Sequence, residues 1–182
     1  MSILPYEITL IATYMGIKER VIGFEGRRPW KPQEVERSFF QAETGGGITI
    51  MGRKTWETLL RQKGQGLHGR TNIVMTRGET IEGEGCIPAF SIEDVLVIIN
   101  RCRNEARGVF VVGGEQIFRL FMPLASRLLI SRIAHRKGKM PPGDTFFPAF
   151  DEKEFPIVPG TRRRESIKGG HIVFEERKRV SR

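Results

Sequence analysis

The stretch RRPWKPQEVERSFF, residues 27–40, sets a tryptophan behind two arginines and then places two carboxylates, Glu34 and Glu36, two positions apart. A helix opened by Pro32 and running to about Ala42 gathers Glu36, Phe39, Phe40 and Thr44 on one face and turns Glu34 roughly the opposite way. The face with two phenylalanines is the one to bury. Glu36 is therefore carried inward, while Glu34 is a solvent-facing acid of the first turn, favoured by the helix dipole. A buried carboxylate is costly unless paired, so Glu36 calls for a cationic or multiply donating partner. The chain offers none at a fixed spacing, and a rim position beside a surface arginine is the alternative reading.

Three further stretches suit an anion. In VFVVGGEQIF (109–118), a Gly-Gly turn between strand and helix lets backbone N–H groups and a helix N-terminus approach a phosphate, although Glu115 would place a negative charge beside it. In ITIMGRKTWETL (48–59), Arg53 and Lys54 stand with Thr55 at a helix N-terminus, where cations oppose the dipole. TNIVMT (71–76) closes on Thr76 and is followed by Arg77. Together these strand ends could hold a dinucleotide with an additional phosphate. Surface basicity and an ordinary tight turn are the bland alternatives.

Strand and helix periods alternate along the chain. Strands are expected at 7–15, 45–52, 71–76, 86–90, 108–112 and 127–134. Helices are expected at 53–62, at 91–106 behind a capping box of Ser91 and Asp94, and after Gly114 up to Pro123. PIV (156–158) and HIVFEERKR (171–179) predict an antiparallel hairpin with a long connection. The pattern is α/β: one domain over residues 1–182, a central mixed, mainly parallel sheet with flanking helices, and an antiparallel C-terminal edge. In such sheets ligands lie at the carboxyl ends of the strands.

Bulk properties narrow the classes. With 182 residues the chain suits one domain with a sizeable core. No apolar run is long enough for a membrane span, and the N-terminus lacks the basic region of a secretory signal, so a cytoplasmic protein is expected. Cys86 and Cys102 are expected to be reduced thiols, and His68, His135 and His171 show no metal-ligand spacing. The net charge of +9 points to an anionic partner. Its excess sits in HRKGK (135–139), RRR (162–164) and ERKR (176–179), most simply solvated faces. No aromatic-interleaved basic module argues for nucleic acid.

With these pieces in order, the chain resembles dihydrofolate reductase over nearly its full length. LIA near the start, RVIGFEGRRPW, the helix with Glu36, IMGRKTWETL, LHGRTNIVMTR, VFVVGGEQIF, RLLISRIA and GDTFFP follow the family's order and approximate spacing. The resemblance implies hydride transfer from NADPH to the pteridine ring of dihydrofolate, giving tetrahydrofolate. It implies that Glu36 grips the pteridine and assists protonation at N5, with Ser131 the hydroxyl beside it and Trp30 the aromatic that orders a water. Ile11, Ala12, Val112 and Phe118 would line the pterin and nicotinamide pocket. Phe40, Leu59 and Leu67 would hold the aminobenzoyl ring, and Arg70 the glutamate α-carboxylate. For NADPH the resemblance implies Ala12, Ile22, Gly23, Gly52, Arg53, Lys54, Thr55, Met75, Thr76, Arg77, Val112, Gly113, Gly114, Gln116 and Ile117, with Arg53 and Arg77 favouring the 2′-phosphate. Antifolate inhibitors are expected ligands; a membrane and nucleic acid are not expected partners, and a monomer is expected.

Several positions depart from the family pattern. Arg28 replaces the usual Met or Leu on the loop over the nicotinamide, which predicts weaker binding of diaminopyrimidine antifolates. Phe118 replaces a Tyr, which predicts slower hydride transfer. Arg37 follows the acid where an apolar residue is common, and should snorkel outward. Glu115 and the loop KGQGLHGR carry no functional expectation, and Asp144 in GDTFFP is read as a turn or strand-pairing residue. Two competitors are a pyrimidine reductase of riboflavin synthesis, which lacks an acid six positions after a Pro-Trp pair, and a basic nucleic-acid-binding module, supported only by the charge.

Overall fold

A computed structural model describes residues 4–78, 81, 83–135 and 140–180. The basic residues at 136–139 therefore lie outside the described residues. Strands β1 (Ile8–Met15), β3 (Ile48–Gly52), β4 (Thr71–Met75), β5 (Cys86–Ala89), β6 (Val109–Gly113) and β7 (Arg127–His135) run parallel in the order β5-β4-β3-β6-β1-β7. Beyond β7 the sheet turns antiparallel through β10 (Gly170–Lys178) and β9 (Arg163–Ile167). Two short strands, β2 (Val21–Gly23) and β8 (Thr145–Phe146), pair with each other, and β2 also joins the end of β1.

The central strands are Val/Ile-rich and buried on both faces, as parallel strands between helix layers must be. Helices α1 (Glu34–Thr44) and α2 (Arg53–Lys63) cover one face, where Ile11, Phe110 and Leu129 meet Phe39, Phe40 and Val112, and Trp56 packs with Met51 and Val74. Helices α3 (Ile92–Cys102) and α4 (Glu115–Phe121) cover the other, where Val95, Ile99, Phe118 and Phe121 join Leu10, Ala12, Tyr14, Val111, Leu128 and Ile130. Burying each such side chain is worth roughly 1.5–3 kcal/mol, so the strands' alternation decides which residues can face a ligand.

Local details correct several boundaries. Pro32 precedes α1 rather than opening it: Gln33 is the N-cap, and the helix runs on to Thr44, whose hydroxyl donates back to the Phe40 carbonyl at 2.7 Å. Ser91 caps α3 as expected, accepting from the Asp94 N–H at 3.0 Å while the Asp94 carboxylate accepts from the Phe90 N–H at 2.9 Å. That helix stops at Cys102, not at Ala106, because the chain breaks into turns there, with the Glu105 and Ala106 N–H groups bonded three residues back. The C-terminal hairpin is tight: β9 and β10 meet across Lys168 and Gly169, and the latter has φ +84°, a conformation glycine adopts without strain. PIV contributes only an isolated bridge between Ile157 and Arg177. The arginine-rich β9 has too little apolar alternation to read as a strand; pairing with β10 makes it one.

Candidate active site

Glu36 is 3% exposed and lies over β1 from the first turns of α1. Thr13 of β1 donates to its Oε1 at 2.8 Å. Arg28 Nη1 donates to both oxygens, at 2.8 and 3.0 Å. The partner that spacing could not supply thus comes from the loop after β2. The Arg28 side chain remains 58% exposed while that of Glu36 is 4% exposed, so the arginine reaches down from solvent onto a buried acid. Glu34 faces water as expected, paired with Arg37 at 2.6 Å, and Arg37 does extend outward.

Arg28 is aimed by the turn before it. Phe24 and Arg27 exchange backbone hydrogen bonds of 2.8 and 3.0 Å, and Glu25 and Gly26 both adopt positive φ, 48° and 71°, as in a type I′ turn. Asp144 anchors this turn by accepting from the Glu25 N–H at 2.8 Å. Hydrogen bonds from Thr145 and from the Glu25 backbone hold the Asp144 carboxyl below its ordinary range. Asp144 is thus the turn residue that its motif suggests.

Around Glu36 the expected residues divide. The hydroxyl that donates to the acid is that of the partly buried Thr13, which sequence reasoning missed; Ser131, its register partner on β7, is fully buried. Trp30 is 7% exposed and its indole N–H is buried without a hydrogen-bond partner among the described residues. Ile11, Phe40, Leu59, Leu67 and Val112 form a continuous apolar wall on the α1 face. Ala12 and Phe118 belong to the opposite-face core, where Phe118 packs edge-on against Phe147 at 4.9 Å. Arg70 is held by Thr44, with a 2.9 Å bond from Nε, and by the His68 carbonyl at 2.6 Å, and lies 5.9 Å from the centre of the Phe40 ring. Burial lowers its pKa from the ordinary guanidinium value.

The anion-suited stretches converge on one edge. Gly52, Met75 and Gly113 end the adjacent parallel strands β3, β4 and β6, and a register shift after Ile50 sets Gly113 opposite Met51. Gly52 and Gly114 are the N-caps of α2 and α4, neither with a side-chain cap. The Gly113–Gly114 peptide is cis, and a Cβ on Gly114 would stand 3.6 Å from the Thr55 hydroxyl. Gly52 likewise lies against Ile117. Thr76 is buried, its N–H bonded to the Ala89 carbonyl, while Lys54, Arg77 and Gln116 are exposed. Ile22 and Gly23 sit in β2, with Ile22 packed on the main core.

Glu115, the charge that weighed against a phosphate here, is turned away. Its Oε1 accepts from Arg119 at 2.7 and 3.0 Å, and its Oε2 from the Phe146 N–H at 2.8 Å, tying α4 to β8. The loop KGQGLHGR is organised by Asn72, whose amide bonds the backbone of Leu67, Arg70 and Gly85.

Two helix N-termini without side-chain caps lie at the carboxyl edge of a parallel sheet, the edge at which α/β proteins of this class bind their ligands. Residues 7–179 match the model of the family described as Dihydrofolate reductase. A dihydrofolate reductase of Neisseria meningitidis serogroup B is 37% identical over 168 residues, covering 92% of this chain and 95% of the relative. One from Bacillus subtilis is 34% identical over 167 residues, covering 90% and 91%. The structure of dihydrofolate reductase from Enterococcus faecalis complexed with NADP(H) and RAB-propyl superposes with a TM-score of 0.80 at 24% identity, covering 96% of this chain and 97% of that one. The chain belongs to the dihydrofolate reductase family. Among the described residues, no helix is long and apolar enough to cross a membrane.

Proposed function

We propose that this protein reduces 7,8-dihydrofolate to tetrahydrofolate with NADPH, and that Glu36 holds the pteridine and assists protonation at N5. One observation carries the reading: a carboxylate 3% exposed whose ligands are a threonine hydroxyl and a displaceable, half-exposed arginine. The pteridine's amino and ring N–H groups would take the place that Arg28 now fills, forming charge-assisted hydrogen bonds. Thr13 would keep its bond to Oε1 and fix the carboxylate's plane. A water on the buried Trp30 N–H would lie on the proton's path, and Ser131 would support the same polar strip. Ile11, Phe40, Leu59, Leu67 and Val112 exclude solvent, and Arg70, already fixed by Thr44 and His68, presents its remaining N–H groups to the substrate's terminal carboxylate.

The residues at the strand ends fit NADPH. The uncapped N-termini at Gly52 and Gly114 and the side chains of Thr55 and Thr76 would hold the diphosphate region, and Arg53, Lys54 and Arg77 the 2′-phosphate. The bound cofactor supplies the hydride; the chain supplies position, polarity and a dry cleft. Cytoplasmic residence and a monomeric state accord with this reading.

The test is NADPH oxidation dependent on dihydrofolate, compared between the natural chain and Glu36→Ala. Turnover at neutral pH should fall by about two orders of magnitude or more, as loss of a positioned proton donor does, while NADPH affinity holds. Near-normal turnover would overturn the assignment.

A further inference from the structure

On the sheet face opposite Glu36, the antiparallel edge carries a concentration of cations that the folate reading does not use. A cavity of about 340 Å³ there is lined by Arg132, Arg162, Arg163, Arg164, His171 and Val173. Register explains the gathering. Val173 of β10 stands between Arg132 of β7 and Arg164 of β9, so the two arginines flank one small apolar residue. Adjacent strands lie about 4.8 Å apart, which sets their Cα atoms roughly 10 Å from each other, within reach of two long side chains turned toward the same point. Alternation adds His171 and Arg162 to that side.

Ordinary surface basicity would scatter these charges among carboxylates, and here the acids are committed elsewhere. Glu175, 6% exposed, is bound to Arg177 at 2.8 Å and reaches Arg162 only at 3.8 Å. Glu165 pairs with Arg163, whose guanidinium lies over the Phe174 ring at 4.2 Å, on the other face. Among the described residues, neither Arg132 nor Arg164 has a carboxylate within ion-pair distance. Arg164 is hydrogen-bonded to His171 Nδ1, at 3.1 Å. Since a guanidinium only donates, Nδ1 accepts and the imidazole carries its proton on Nε2, as one more donor. Burial, then the charges of Arg164 and Arg132, push the His171 pKa down, which keeps the ring in that neutral form.

We propose that this cavity binds a compact phosphate chain, of diphosphate or triphosphate size, through Arg132, Arg164, Arg162 and His171. Its volume lies at the small end of ligand sites. Its one apolar lining residue is Val173, and no Phe, Tyr or Trp lines it, so the lining favours recognition of the phosphates over that of an attached nucleoside. The site is independent of the folate cleft.

Calorimetric titration of the NADPH-saturated protein with inorganic triphosphate at fixed ionic strength tests this. One saturable site is expected, weakened about tenfold or more by Arg132→Gln and by Arg164→Ala, since each removes charge-assisted hydrogen bonds. Arg61→Ala, an exposed arginine of α2, and Arg77→Ala should leave the affinity within about twofold, as neither touches the cavity. A nucleoside triphosphate should bind no tighter than inorganic triphosphate. The proposal fails if binding is not saturable, if Arg61→Ala weakens it as much as Arg164→Ala, if Arg77→Ala abolishes it, or if a short oligonucleotide binds more tightly than triphosphate. Unchanged dihydrofolate-dependent turnover in Arg164→Ala would show that the variant is folded.

Discussion

Arg28 closes on both oxygens of Glu36, so the acid expected to receive a ligand already has a guanidinium against it. The buried group is the glutamate and the solvent-facing one the arginine, because only Arg28 has most of its side chain in solvent. Any ligand that needs Glu36 must compete with an internal cation.

Competition predicts a selective effect of Arg28→Leu. A diaminopyrimidine inhibitor, which binds as a cation, should gain about tenfold in affinity when one charge-assisted contact no longer has to be displaced. Inhibition constants measured for both proteins decide the matter; equal values refute it.

Arg77, exposed just beyond the end of β4, is expected to meet the 2′-phosphate of the cofactor. Arg77→Ala should raise the NADPH dissociation constant about tenfold or more and leave that of NADH nearly unchanged. Fluorescence titration with each cofactor checks this, and equal losses would remove Arg77 from that role.

Burial, and next the charge of Glu175, push the Tyr14 phenol up to about 12, against the opposing charges of Arg132, Arg177 and Arg20. Its ordinary value is 10.0, so the folded protein favours the protonated ring. That stability is fully present below pH 10 and is lost as pH rises toward 12, in total about 2–3 kcal/mol. Tyr14→Phe should flatten the urea-unfolding midpoint over this window relative to the natural chain. A parallel decline in both would show that Tyr14 is not the cause.

Asn72 joins β4 to the loop before it. Its amide donates to the Leu67, Arg70 and Gly85 carbonyls at 3.1, 3.3 and 3.4 Å, and its oxygen accepts from Thr49 at 3.1 Å. Asn72→Ala strands several buried groups and should cost about 2–4 kcal/mol in denaturant unfolding. It should also raise KM for dihydrofolate, because Leu67 and Arg70 flank the same loop. A change below about 0.5 kcal/mol would rule out a structural role.

Much of this protein was legible in the order of its residues. The inward turn of Glu36 follows from its helical spacing to Phe39, Phe40 and Thr44, and the outward turn of Glu34 from the same period. The Gly-Gly turn, the RKT helix start and the Thr-Arg strand end are local signals, and the parallel sheet brings them to one edge because parallel strands all finish on the same side. The strand at Arg163–Ile167 escaped notice because its arginines and glutamate lack an apolar face, and only the ladder with β10 makes it extended.

What the tertiary structure alone decided were the partners. Thr13 and Arg28 reach Glu36 from 23 and 8 positions away, through a strand crossing and a positive-φ turn pinned by Asp144. Arg132, Arg164 and His171 share a cavity only because three strands pair in one register. Periodicity along a chain reports which face a side chain takes, since that is a local property of backbone geometry. Which charge lies opposite it depends on closure over distant residues, and no local pattern encodes that.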